Sequence, residues 1–558
     1  MHATENWLPK SILCLRGYTW STFARDAIAG VTVGLVALPL AMAFAISSGL
    51  SPQAGIYCAV VTGFLVSALG GSRNQIGGPT GAFVVVVAGI VSTHGIEGLF
   101  MCTMMAGVLL VIAGATGMGS MVRFIPRPVV VGFTNGIALL IASTQIKDFF
   151  GLRVDAVPGE FVDRMQVLAA HWSTISYPAT ALGVASLALM IATPRLTKRL
   201  PPTIVALVAG TVGAALLALP VETVGSRFGG IPSGLPSVHL PSFRPGLILQ
   251  LISPALTVAM LGAIESLMSA VVADRMTGDR HNPNVELIAQ GIANIASPIF
   301  GGLPATGAIA RTATSIRSGA QTPVAGVVHA ITLLVVLLVA APLASYVPMS
   351  VLAAILFVVA KNMGEWGEIP DLLKLSAADI VVWIVTFALT VLADLTVAVE
   401  VGMVLATALF IRHVVQTTTV TEVTDEDVAD GRVHVLQDKQ IPDYVAIFRI
   451  HGPFLFGATD KLDDMTARIP ELPPIVVVRL RNMTVIDGTG LRALEDLHDA
   501  LRASGRTLLL CGAREQPRAL MAQAEFDRHV GAENICDNVQ HALERAREVF
   551  MEKETVLR

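Results

Sequence analysis

Gly301–Arg317, GGLPATGAIARTATSIR, lies between hydrophobic runs long enough to span a bilayer, yet it carries glycines, a proline, hydroxyl residues and two arginines. No uniform lipid-facing helix has that composition, because each exposed polar group in hydrocarbon is costly. The segment must line something wet. An echo of it stands more than two hundred residues earlier, where Gly77–Ala82 reads GGPTGA against the GGLPATGA of Gly301–Ala308. Each copy runs into a short apolar segment, Phe83–Val91 and Ile309–Ile316. Proline and glycine stop a full-length helix, so each segment predicts a half-helix that begins near mid-membrane with its first N–H groups unsatisfied. Two such N-termini aimed at one point make a pocket for an anion, with the hydroxyls of Thr80 and Thr306 as candidate donors. Paired broken segments in two halves of a membrane protein mark a transporter's binding site. The alternative is a pair of kinks closed by neighbouring helices.

The rest of the chain agrees with a membrane protein. It is 53% hydrophobic and only 14% charged over 558 residues, with mean hydropathy +0.67, values outside the range of a single soluble domain. A net charge of −4 and the absence of any basic run argue against nucleic acid as a partner. Cysteines at 14, 58, 102, 511 and 536 fall singly, so neither a disulfide framework nor a metal motif follows. Residues 1–26 read as a cytoplasmic amphipathic lead-in without a cleavage site.

Hydrophobic runs near 28–46, 52–70, 79–93, 97–117, 126–146, 174–193 and 202–219 precede a Pro/Gly-rich loop, Pro220–Pro245. A second set follows near 253–273, 285–300, 306–316, 321–342, 348–360, 377–393 and 394–412. The third run is the broken one in both sets. The expected architecture is therefore an all-α polytopic domain of fourteen spans over 27–413, arranged as a seven-plus-seven inverted repeat, since an odd repeat re-enters the membrane from the opposite side. Composition turns polar and acidic at 414–436, which reads as a linker. Soluble α/β alternation follows over 437–552, with strands at Tyr444–Ile450, Ile475–Leu480 and Thr507–Cys511 and helices at Leu491–Ser504 and Val539–Val549. An even number of spans puts both termini on one side, and the polar C-terminal domain makes that side the cytoplasm.

Glu265 sits inside the apolar run Leu256–Val272, where a carboxylate is functional by default. Ser269 is one turn on, on the same face; together they could hold a cation, or Glu265 alone could carry a proton. The alternative is a structural carboxylate capped by hydroxyls. Arg311, beyond Thr306 on the second broken segment, either draws the anion in, pairs with Glu265, or snorkels to an interface. A β-branched residue at Gly307 would be expected to fill the site. Leu40 and Phe44 follow Pro39 on one face of the first span and, taken alone, read as packing residues.

RDAIAGVTVGLVALPLAMAFA (Arg25–Ala45), GIY (Gly55–Tyr57), GGSRNQIGGPTGA (Gly70–Ala82), LGAIESLMSAVVAD (Leu261–Asp274) and GGLPATGAIARTA (Gly301–Ala313) resemble the SulP family of anion transporters, which also contains pendrin and prestin. FRIHGPFLFGATDKL (Phe448–Leu462) and VVVRLRNMTVIDGTGL (Val476–Leu491) resemble that family's STAS domain. The resemblance implies two interleaved repeats, a core domain moving against a gate domain, and a homodimer. It places the substrate site on Leu40, Phe44, Thr80, Gly307, Ala308, Ile309 and Arg311, the coupling acid on Glu265 and its hydroxyl partner on Ser269. Sodium-coupled relatives carry Asp where this chain has Glu265, which points to a proton. Many STAS regulators carry a phosphate-accepting Ser after the loop Asp, whereas here Asp487 is followed by Gly488 and then Thr489.

The expected function is secondary active transport of a small anion across a bacterial-type inner membrane, with no cofactor and no enzymatic chemistry. PLAMAFA (Pro39–Ala45) and IES (Ile264–Ser266) resemble C4-dicarboxylate carriers, with sulfate and bicarbonate as alternatives. A cytoplasmic partner for the STAS domain is a further expectation. An anion channel or voltage-responsive motor is the rival on the same fold.

Overall fold

The computed structural model describes residues 7–120, 126–154, 157–197, 201–230, 234, 238, 240–242, 244–393, 395–423 and 441–557. The chain divides into two compact units, Met1–Ala406 and Thr407–Arg558.

In the first unit a short helix, α1 (Lys10–Leu15), precedes α2 (Trp20–Ser47), α3 (Pro52–Leu69), α4 (Gly81–Ala115), α5 (Arg127–Phe150), α6 (Phe161–Ala170), α7 (Tyr177–Leu196) and α8 (Pro202–Leu216). The second half runs through α9 (Ile248–Thr277), α10 (Pro283–Ile299), α11 (Ile309–Arg317), α12 (Val324–Ala344), α13 (Met349–Met363), α14 (Ala377–Leu392) and α15 (Leu395–Gln416). Every apolar run of the sequence falls on one of these helices. The third and fourth runs share α4, which is broken only at Gly95, where φ is 70° and ψ is −176°. The first span starts at Trp20, inside the stretch read as a lead-in, because Thr19 caps it by accepting from the Thr22 N–H.

Many of these helices begin with proline in the first turn, where the missing N–H costs nothing. Small residues then set the packing, since helices in lipid gain most from close backbone approach. Gly30 and Gly34 of α2 lie against Val328 and Thr332 of α12. Gly107 of α4 lies against Gly291 of α10, and Gly132 and Gly136 of α5 lie against Thr386 and Thr390 of α14. A Cβ at any of them would overlap its neighbour. Two helix groups result: α2, α3, α4, α9, α10, α11 and α12 pack among themselves, as do α5, α7, α8, α13 and α14.

Among the described residues, the second unit contains a five-stranded sheet in the order β3-β4-β5-β6-β7, using β3 (Thr419–Glu422), β4 (Val445–Phe454), β5 (Ile475–Ile486), β6 (Thr507–Cys511) and β7 (Ile535–Cys536). Only the β3–β4 pair is antiparallel. Helix α16 (Gly488–Ala503) covers one face and α17 (Val539–Leu557) the other. With both faces buried, β5 reads as the continuous apolar run Ile475–Val478 rather than an alternation. Residues 419–422, which composition places in the linker, form the edge strand. Their Thr-Val-Thr-Glu alternation suits a half-exposed edge, and its brevity hides it among polar neighbours.

Candidate functional site

The two broken segments meet. Two strands of two residues each, β1 (Gly77–Gly78) and β2 (Thr306–Gly307), pair antiparallel with Gly77 opposite Gly307 and Gly78 opposite Thr306. The Ala308 N–H donates to the Ile76 carbonyl at 2.8 Å and the Ile76 N–H to Thr312 Oγ1 at 3.1 Å, which extends the tie on both sides. Backbone that proline and glycine have taken out of helical form is thus satisfied by its counterpart from the other half. From this crossing α4 and α11 run apart, each opening with unsatisfied N–H groups: Gly81 and Ala82 on one side, Ile309, Ala310 and Arg311 on the other.

The N-termini face a cavity of about 290 Å³ between the two helix groups of the first unit. Leu40, Phe44, Thr80, Glu265, Gly307, Ala308, Ile309 and Arg311 line it, as expected from the sequence and the resemblance. Ser269 does not. Its hydroxyl donates to Thr312 Oγ1 at 3.1 Å, fully buried behind the half-helix, and so steadies α11 instead of accompanying Glu265.

Thr306 is also redirected. Its hydroxyl donates to the Gly262 carbonyl at 3.1 Å, so the Ser266 hydroxyl must donate to Thr306, 2.8 Å away, and accept the Gly307 N–H at 3.0 Å. This closed chain leaves neither the Thr306 hydroxyl nor the Gly307 amide for a ligand. The sequence echo had equated Thr80 with Thr306, but the structure makes Thr80 the N-cap of α4 and Ala308 that of α11. The register shifts because the second copy carries its Thr-Gly inside the strand.

Thr80 makes no capping bond to its own helix and instead donates to Glu265 Oε2 at 2.8 Å. Arg311 is 2% exposed, which excludes snorkelling. Its Nη2 donates to the Pro79 carbonyl, while Nη1 has no hydrogen-bond partner, and no ion pair joins it to Glu265 among the described residues. Gly78 permits this, since a Cβ there would collide with Nη1. A buried cation that lines the cavity beside two helix N-termini suits an anion.

Several residues of the site escape a reading by motifs. Phe133 and Thr134 of α5, Asn362 of α13 and Glu365 just after it complete the far wall. Glu365 stands at φ 43°, on a turn held by Asn135, whose amide donates to the Gly364 carbonyl and whose Oδ1 accepts from Trp383 Nε1 at 3.0 Å. Behind the crossing, one face of α10 holds both lead-ins. Glu286 accepts the N–H groups of Gly71 and Ser72 at 2.9 and 3.1 Å. Asn294 exchanges two bonds with Ala305, at 2.8 and 2.9 Å, and Ser297 donates to the Leu303 carbonyl at 2.6 Å. Glu286, Gln290 and Asn294 recur every fourth residue in an apolar run, a polar stripe that was present in the sequence as a signal.

Residues 23–386 match the sulfate permease family. The chain belongs to that family. Residues 437–542, within the second unit, match the STAS domain. Over 94% of this chain and 98% of the relative, it is 39% identical to the "Putative sulfate transporter YvdB" of Bacillus subtilis. It is 32% identical to the bicarbonate transporter BicA of Picosynechococcus, over 93% and 94% of the two chains. The solved transmembrane domain of a cyanobacterial bicarbonate transporter BicA superimposes with TM-score 0.63 at 34% identity, covering 68% of this chain and 98% of that chain. The murine solute carrier 26 family member A9 anion transporter, at 17% identity, shares the fold with TM-score 0.86 over 98% of this chain and 95% of that one. The protein is thus an anion transporter with a mostly helical membrane domain and a STAS domain, and its relatives are transporters rather than enzymes.

Proposed function

We propose that this protein takes up a small oxyanion together with a proton, by alternating access of a cavity between two helix groups. The observation that carries the reading is Glu265, a carboxylate in the wall of the cavity onto which both half-helix N-termini and Arg311 open. An ionised Glu265 and a bound anion repel in surroundings of low dielectric, and protonation removes the conflict. Proton and anion then bind with positive coupling, each raising the other's affinity. Sodium has weaker support, since Ser269, its expected second ligand, turns to Thr312.

Sulfate and bicarbonate, named for the relatives that align over nearly the whole chain, replace a C4 dicarboxylate as the first choice of substrate. The protein would act as a homodimer in the inner membrane with both termini cytoplasmic, the STAS domain regulating transport or receiving a partner there. Paired uptake and counterflow in proteoliposomes without sodium test the reading. Glu265→Gln should still exchange sulfate or bicarbonate at equilibrium while losing accumulation driven by a pH gradient. Unchanged gradient-driven accumulation in the variant would overturn it. Current that follows the anion gradient without counterflow would mark a channel.

A further inference from the structure

The hydroxyl of Thr80 joins the proposed proton site to the anion site through a single hydrogen atom. An ionised carboxylate only accepts, so with Glu265 charged the 2.8 Å bond obliges Thr80 to donate to it. The Thr80 hydroxyl then has lone pairs alone to offer the cavity it lines. An N-cap threonine ordinarily accepts a bond from its own helix, which would fix the hydroxyl; Thr80 makes none, so its oxygen can accept elsewhere. When Glu265 binds a proton at Oε2, its new O–H donates to Thr80 Oγ1. The threonine O–H rotates about Cβ–Oγ toward the cavity, beside the open N–H groups of Gly81 and Ala82.

We infer that Thr80 is a hydrogen-bond inverter, presenting lone pairs to the anion when Glu265 is ionised and a donor when Glu265 is protonated. The inference rests on Glu265 being the coupling acid and adds a second, directional element to the bare charge repulsion. Arg311 from α11 and Glu365 from the end of α13 are the other charged groups of the cavity, while α2 and α5 contribute no titratable group to it. Arg311 stays anchored on the Pro79 carbonyl in either state. Glu365 offers a competing source of pH dependence and serves as the control.

The test is sulfate binding to the full-length protein in lipid at acid and alkaline pH, for wild type, Thr80→Ser, Thr80→Val, Glu265→Gln and Glu365→Gln. A hydrogen bond to a charged group corresponds to about a tenfold change in affinity, so wild type and Thr80→Ser should bind sulfate at least about tenfold more tightly at acid pH. The isosteric Thr80→Val should flatten that ratio to about threefold or less, the residue left by charge repulsion. Infrared difference spectra across a pH step give a ligand-free readout. The carboxylic C=O band lost in Glu265→Gln should persist in Thr80→Val but move, because its O–H has lost its acceptor, and should stay in place in Thr80→Ser. A full pH ratio or an unmoved band in Thr80→Val would overturn the inverter and leave Glu265 coupling intact. Loss of the ratio in Glu365→Gln alone would place the linkage on Glu365 and also overturn it. A wild-type ratio in Glu265→Gln would instead remove the coupling reading itself.

Discussion

Gly307 lines the cavity, yet its lack of a side chain serves the strand crossing more directly than the cavity. The sequence marks it as a point of close approach, and bulk there was expected to fill the anion site. In the structure its missing Cβ would collide with the side-chain amide of Gln75, on the far side of the strand pair. Gly307→Ala should therefore act by pushing the crossing apart, lowering sulfate affinity by about tenfold or more, the scale of an overpacked core. Gln75→Ala in the same chain should restore much of it, whereas steric filling of the cavity would leave the double variant as weak as the single. Arg311→Lys should weaken binding even though charge is kept, since one ammonium cannot hold the Pro79 carbonyl and present a second planar N–H to the anion; equal affinities for sulfate would refute this. At this scale the arginine and the buried acid were legible because a charge is expensive in a membrane, and the glycines because with proline they interrupt a helix. Hydroxyl roles were not, because Thr80, Thr306, Ser266 and Ser269 differ only in where a rotor points, and tertiary contacts decide that.

Among the elements, α10 carries no ligand yet holds both half-helices by their lead-ins. Its Asn294 meets the N–H and the C=O of Ala305 as a neighbouring strand would. Asn294→Ala strands both groups in the interior, at about 1–3 kcal/mol each. Thermal unfolding should come at lower temperature and sulfate should stabilise the variant less; an unchanged midpoint would show that the bracket is dispensable. The helices themselves were readable from hydropathy, since a bilayer admits few alternatives to a helix of sufficient length. What hydropathy missed were the elements outside its logic: the four-residue edge strand β3, the short helix α6, and strands β1 and β2, whose pairing depends on two segments far apart in sequence.

For the whole molecule, the division into two units makes the independence of the membrane domain and the STAS domain testable. A soluble fragment from Thr417 to Arg558 should fold with its sheet complete, while one starting at residue 437 lacks β3, leaves β4 as an unpaired edge and should aggregate more readily. A chain ending at Gln416 should still bind sulfate in lipid; loss of binding despite correct insertion would tie the second unit to the site. The division was visible from composition, although the sheet claims residues that composition gave to the linker. The pairing of β1 with β2 also sets a clock on biogenesis. Gly77 and Gly78 leave the ribosome more than two hundred residues before Thr306 and Gly307. At about 5–20 residues per second, that interval is roughly ten to forty seconds. For that time the first broken segment waits in or near the bilayer with its strand groups unpaired. Translation of the second half, more than insertion of the first, therefore decides when the crossing that frames the cavity can form.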